Sequence, residues 1–107
     1  MIEPVARQAQ IEALGDGRFQ VSGVLDASTV SRLLARSGEL FRGLSRVELD
    51  FASVTASDSS GLALLLEWLR LARRAGQRIQ FEHLPEQLLA LARISEVDTL
   101  LTENGRS

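Results

Sequence analysis

Apolar and polar residues along the chain follow two periods. Ala9, Ile11 and Ala13 alternate with polar neighbours, and Phe19, Val21 and Gly23 alternate again, which is the period of half-buried strands. Gly15-Asp16-Gly17 lies between them as a turn signal, so these two strands are expected to form a hairpin. Val30, Leu33, Leu34, Leu40 and Phe41 then recur at helical spacing, with Asp26 as the candidate N-cap and Gly43 as a stop. Gly38 falls inside that helix and costs it about 1 kcal/mol relative to Ala. Val47, Leu49 and Phe51 alternate with Glu48 and Asp50 as a third strand. A loop over 52–58 leads to the strongest helix, from Ser60 to Ala75, closed by Gly76. Ile79 and Phe81 mark a fourth strand, and Pro85 suits the first position of a third helix ending near Ile94. Val97, Leu100 and Leu101 are expected to fold back as a short apolar lid.

This order of elements predicts an α/β fold. A mixed sheet of about four strands carries three or four helices, mainly on one face. The two strand–helix–strand passages imply parallel pairs joined by right-handed crossovers. A chain of 107 residues makes one domain, with 1–8 and 103–107 expected to be loosely held.

Composition narrows the function. A chain that is 45% hydrophobic and 24% charged is a folding chain, and a net charge of −2 gives no basic stripe for nucleic acid. Without cysteine there is no disulfide scaffold, thiolate metal site or Cys nucleophile. All 12 basic residues are arginine, which removes lysine-based phosphate binding and Schiff-base chemistry. The single His, His83, is expected at a strand end, bonded to backbone or water. No cofactor or metal is expected. Met1-Ile2-Glu3-Pro4 is not a signal peptide. The longest apolar run, Leu62 to Leu66, is far short of the roughly 20 residues of a membrane span. A soluble, cytoplasmic protein without direct membrane insertion is expected. Ser57-x-Ser59-x-Gly61 has the spacing of a hydrolase nucleophile elbow, but the chain is too small for that fold and its pocket, so an enzyme is set aside. Arg70, Arg73, Arg74 and Arg78 read as a solvated helix edge that could also meet acidic residues of a partner.

The segment Ser57-Asp58-Ser59-Ser60-Gly61 places short polar residues where the strongest helix begins. Two readings stand side by side. One is capping, with Gly61 allowing close packing of the first turn. The other is a docking or modification corner. Free N–H groups and the helix dipole favour an acidic group there. A phosphate on Ser59 would add about −1.5 to −2 charges beside Asp58. The helix that follows has an unusually wide apolar arc, about 220° at 100° per residue, against about 120° for the first helix. Leu64, Trp68 and Leu71 are the surplus. Either a neighbouring helix covers them, or they form a protein-docking face, through which an isolated copy would also be expected to pair with a second copy.

The run Leu49-Asp50-Phe51 to Asp58-Ser59-Ser60-Gly61-Leu62-Ala63-Leu64-Leu65-Leu66, followed by a Gly-ended helix and a strand, resembles the STAS domain over about residues 9–101. That resemblance implies a non-enzymatic interaction module. Within the family, 61–76 and Leu84-Pro85-Glu86-Gln87-Leu88 are most similar to the MlaB-type subunits of phospholipid-transport ABC systems, which serve outer-membrane lipid asymmetry. The Ser59-Ser60 pair is more similar to the anti-sigma factor antagonists, since some MlaB-type chains carry Thr-Ala there. The first branch implies a cytoplasmic subunit held at the inner membrane by its ATPase partner, with Ser59 against that partner. The second implies an anti-sigma factor kinase as partner and Ser59 as its phosphorylation site. The MlaB-type branch is preferred, with Ser57, Asp58, Ser59, Ser60, Leu64, Trp68 and Leu71 as partner-binding residues.

Overall fold

Residues 8–103 are described by a computed structural model. Strands β1 (Ala9–Gly15) and β2 (Arg18–Leu25) form the hairpin, with Ile11 opposite Val21 and Ala13 opposite Phe19. Asp16 and Gly17 join them with φ of 58° and 77°. Two successive left-handed residues are what a two-residue type I′ turn requires, and Asp-Gly adopts them at little cost. Helix α1 (Val30–Leu40), strand β3 (Arg46–Ser57), helix α2 (Ser59–Ala75), strand β4 (Arg78–Glu82) and helices α3 (Glu86–Ile94) and α4 (Asp98–Glu103) follow. The sheet runs β1-β2-β3-β4, and both β2–β3 and β3–β4 are parallel.

Phe19, Val21, Leu25, Val47, Leu49, Phe51 and Ile79 turn into the core beneath the helices. Gln20, Glu48, Asp50, Gln80 and Glu82 alternate with them and are only half-buried. On that polar face Arg18 and Arg46 approach Glu48 at 3.9 and 3.0 Å. An aromatic chain crosses the core. Phe19 stacks obliquely on Phe41 at 5.0 Å, Phe41 and Phe51 flank Trp68 at 6.1 and 6.3 Å, and Phe81 meets Phe51 edge-on at 5.8 Å. Each such pair adds about 0.5–1.5 kcal/mol beyond area burial, and together they lock α1 and α2 onto the sheet.

Several expectations need correction. Of the stretch expected as a loop over 52–58, residues 52–57 are strand, paired with 22–25 of β2, and β3 is bulged twice there, at Gln20/Ser22 and at Gly23/Val24. Each bulge inserts a residue and breaks the two-residue period by which a strand is recognised. Asp26 does not cap α1. Its carboxylate accepts from the Ser28 N–H and hydroxyl at 2.9 and 2.7 Å, and the helix starts after Thr29. Pro85 is the N-cap of α3 and not its first residue. The apolar lid is the helix α4, which buries Leu101 and leaves Leu100 47% exposed. His83 bonds through Nδ1 to Asp50 Oδ1 at 3.0 Å, a side-chain partner where backbone or water was expected. Glu103 closes α4, while 1–7 and 104–107 lie outside the described residues.

Candidate functional site

The corner is built by the end of β3, the start of α2 and the start of α3. Ser57 lies opposite Leu25, the last residue of β2, and the Asp58 N–H donates to the Leu25 carbonyl at 3.1 Å. Gln87, on the first turn of α3, accepts from the Ser57 N–H at 3.1 Å. The Ser57 hydroxyl donates to the Asp58 carbonyl at 3.2 Å. Asp58 then turns extended (φ −117°, ψ −163°), and its carboxylate accepts from the Ser60 N–H at 2.8 Å as the N-cap. The Gly61 N–H donates to the Asp58 carbonyl at 2.9 Å.

Gly61 is needed here for space. A Cβ on it would run into the Ser57 hydroxyl and press at 3.2 Å on both Leu25 and Leu88. The first turn of α2 is thereby wedged between β2 and α3. Ser59 is the first residue of α2 and is exposed, as is Asp58, while Ser57 and Ser60 are half-buried. Of the N–H groups at the start of α2 that could meet an incoming anion, that of Ser60 is already taken by the carboxylate of Asp58 and that of Gly61 by its carbonyl. What the corner offers outward is a hydroxyl and a carboxylate on a fixed backbone. Ser60 also lines an open cleft of about 410 Å³ between α1 and α2, with Val30, Leu34, Ala63, Leu64 and Glu67.

The structure corrects the surplus apolar face. Leu64 is 3% and Trp68 1% exposed, so neither offers a free surface. Trp68 donates its indole N–H to the Ser37 hydroxyl of α1 at 2.8 Å, and Ser37 donates in turn to the Leu34 carbonyl at 2.7 Å. A buried indole N–H needs such a partner. The wide arc of α2 is used up on three sides, by the sheet, by α1 and by α3. Of the three surplus residues only Leu71 is exposed, at 38%. Sequence reasoning missed Gln87 and Leu88 as builders of the corner. Their place one turn after Pro85 was the available signal, since a helix starting at the end of β4 must begin beside the start of α2.

Two carboxyls away from the corner are shifted. The Asp50 carboxyl is held below its ordinary value, first by the Ala52 N–H it accepts at 2.8 Å and then by His83, with partial burial opposing. Arg70 bonded to Glu67 lowers the carboxyl of that exposed pair. Among the described residues no group of three His, Asp or Glu side chains is placed to hold a metal. No helix of the described residues is long and apolar enough to cross a membrane.

The class of protein follows from comparison. The solved structure of the anti-sigma factor antagonist SpoIIAA in its unphosphorylated form superposes with a TM-score of 0.68 at 19% identity, covering 88% of this chain and 85% of that one. This shows the fold. No curated protein matches the chain. The family model described as "Mlab, STAS domain" matches residues 10–102, and the chain belongs to that family. STAS domains are generally regulatory and interaction domains, and no catalytic family is indicated.

Proposed function

We propose that this protein is a non-catalytic STAS subunit that binds the ATPase subunit of a bacterial phospholipid-trafficking ABC transporter. It would sit at the cytoplasmic side of the inner membrane through that partner. The observation that carries the reading is the exposed Ser59 on a corner fixed by β2, β3 and α3, in a chain matched over 10–102 by the MlaB-type family model. A rigid, pre-positioned contact loses little entropy on docking. The subunit then acts by mass action, stabilising the ATPase arrangement it prefers without contacting nucleotide. Ser57, Asp58, Ser59 and Ser60 are the direct contacts, and Leu71, about three turns further along α2, is an outlying one. Leu64 and Trp68 support the helix from inside.

Isothermal titration of the folded protein with its cognate ATPase subunit tests this. Replacing exposed Ser59 by Arg is expected to weaken binding by about tenfold or more, equivalent to about 1.4 kcal/mol or more, with unfolding midpoint unchanged. Unchanged affinity counts against the site.

A second reading is favoured by the same hydroxyl and by the fold shared with SpoIIAA: an anti-sigma factor antagonist switched at Ser59. A partner kinase would transfer the γ-phosphoryl group of ATP to Ser59 Oγ. The doubly charged phosphate would then stand beside Asp58 and repel whatever docks there. Incubation with candidate anti-sigma kinases and ATP, followed by mass spectrometry, decides it, and an unmodified Ser59 removes this alternative.

A further inference from the structure

The seam between α1 and α2 does not close along its whole length. Near the C-terminal ends of both helices it opens into a groove of about 610 Å³, with Phe41, Trp68, Ala72 and Ile79 at its base and Gly38 and Leu71 on its walls. Trp68 is sealed at 1% exposure, but Leu71, one turn along, stands 38% exposed. Gly38 is unexplained by the chain itself. It lies inside the 11-residue helix α1, its φ is not left-handed, and a Cβ there would meet nothing within 4 Å. Glycine weakens a helix interior, and what it permits in return is close approach by another backbone.

Charge says what approaches. Arg42 is the charged residue lining the groove, and no carboxylate lines it. Arg73 and Arg74 in the last turn of α2, and Arg46 and Arg78 at the starts of β3 and β4, lie at this same end outside the lining, where they add to its positive field without touching the base. Of these, Arg46 is answered by Glu48, which Arg18 also approaches. The base would take apolar side chains and the rim carboxylates.

We infer that this groove receives an acidic, apolar-faced segment of the same ATPase partner, as a second contact remote from Ser59. The inference rests on the proposed function for the identity of the partner. The two contacts lie towards opposite ends of one 17-residue helix, about 20 Å apart from Ser59 to Leu71 and Ala72, a span that a single protein interface of ordinary size covers. The cleft of about 410 Å³ beside Ser60 lies between the same two helices, so the docking surface follows the seam from one end to the other.

Titration of the full chain with the cognate ATPase subunit, using Gly38→Gln, Arg42→Glu and Ser59→Arg, tests this. Gly38→Gln is expected to raise the melting temperature by roughly 4 °C, since a Cβ has room and the helix gains propensity. It should nevertheless weaken ATPase binding about tenfold by filling the groove. A merely structural role for Gly38 would move stability and affinity in the same direction. Arg42→Glu is expected to weaken binding about tenfold at low salt, with the deficit shrinking as salt rises. Loss of binding in both groove variants supports the inference whether or not Ser59→Arg binds, and normal binding by Ser59→Arg would remove the corner alone. If both groove variants bind like wild type while Ser59→Arg does not, the groove is overturned and the proposed function stands. If the wild-type chain does not bind the ATPase, both fall. If the groove variants change self-association in sedimentation equilibrium but not ATPase affinity, the occupant is a second copy and the inference is overturned.

Discussion

Ser60 and Leu64 are one turn apart on α2, yet the stretches around them have opposite fates. The entry to the helix is small and polar: the N–H groups of Ser57, Asp58 and Ser60 donate to the Gln87 side chain, the Leu25 carbonyl and the Asp58 carboxylate, and Ser59 faces solvent. The following turns carry Leu64, Leu65 and Trp68 and are sealed to 3% exposure or less. The contrast teaches what apolar width on a helix means. A wide arc counts the neighbours that cover the helix, and here α1 and α3 flank it over the sheet. It does not measure what remains for a partner. What stays open is the short polar stretch, where the side chains of Ser57 and Asp58 spend their hydrogen bonds locally.

The largest effect should come from emptying the sealed stretch. Trp68→Ala is expected to cost about 3–5 kcal/mol, because it leaves a cavity between Phe41 and Phe51 and removes the bond to Ser37. Trp68→Phe keeps most of the volume and should cost clearly less. Urea unfolding of the purified chains measures both. A loss below about 1 kcal/mol for Trp68→Ala would break the comparison, since Trp68 would then be dispensable to the core.

Much of the fold could be read from the residues because period and punctuation agreed. Asp-Gly at 16–17 forms the hairpin turn, and Gly76 ends α2 in the left-handed conformation with φ 69°. The end of β3 was illegible because its two bulges erase alternation over 52–57, even though Val54 and Thr55 favour a strand. The start of α1 was misread because Asp26 bonds two residues ahead, to Ser28, so the chain turns once more before the helix begins. Of the candidate site, Ser57 to Ser60 could be located from residue type, since short polar residues ahead of an apolar run mark a helix start. The burial of Leu64 and Trp68 was hidden because it depends on a tertiary partner. Ser37 looked like an ordinary polar helix residue, and only its position opposite Trp68 makes it a buried acceptor, 2% exposed.

The polar stretch gives the next effect. Asp58→Ala removes the cap on the Ser60 N–H and should cost about 1 kcal/mol. Asp58→Asn should restore most of it, because an amide oxygen accepts the same bond. Paired urea titrations separate capping from charge. If Asn fails where Asp succeeds, the negative charge at the helix N-terminus contributes more than the hydrogen bond.

The smallest effect uses a carboxylate in the same local geometry but away from the corner. Asp50 accepts from the Ala52 N–H at 2.8 Å, as Asp58 does from Ser60, and it is also bonded to His83. Its carboxyl is held below the ordinary range in the folded chain, led by the Ala52 N–H. A carboxylate lowered on folding adds stability that is fully present above its unfolded pKa of about 3.9 and is lost as pH falls through the folded value. The side chain is 31% exposed, so the contribution is expected to stay under about 1 kcal/mol. Asp50→Asn keeps an acceptor for Ala52 and removes the charge. Unfolding free energies at pH 7 and at about pH 3 should therefore show wild type ahead at neutral pH and the gap narrowing in acid. No gap at either pH would mean that the hydrogen bond to Ala52 alone carries Asp50, and that its charge and its contact with His83 add nothing.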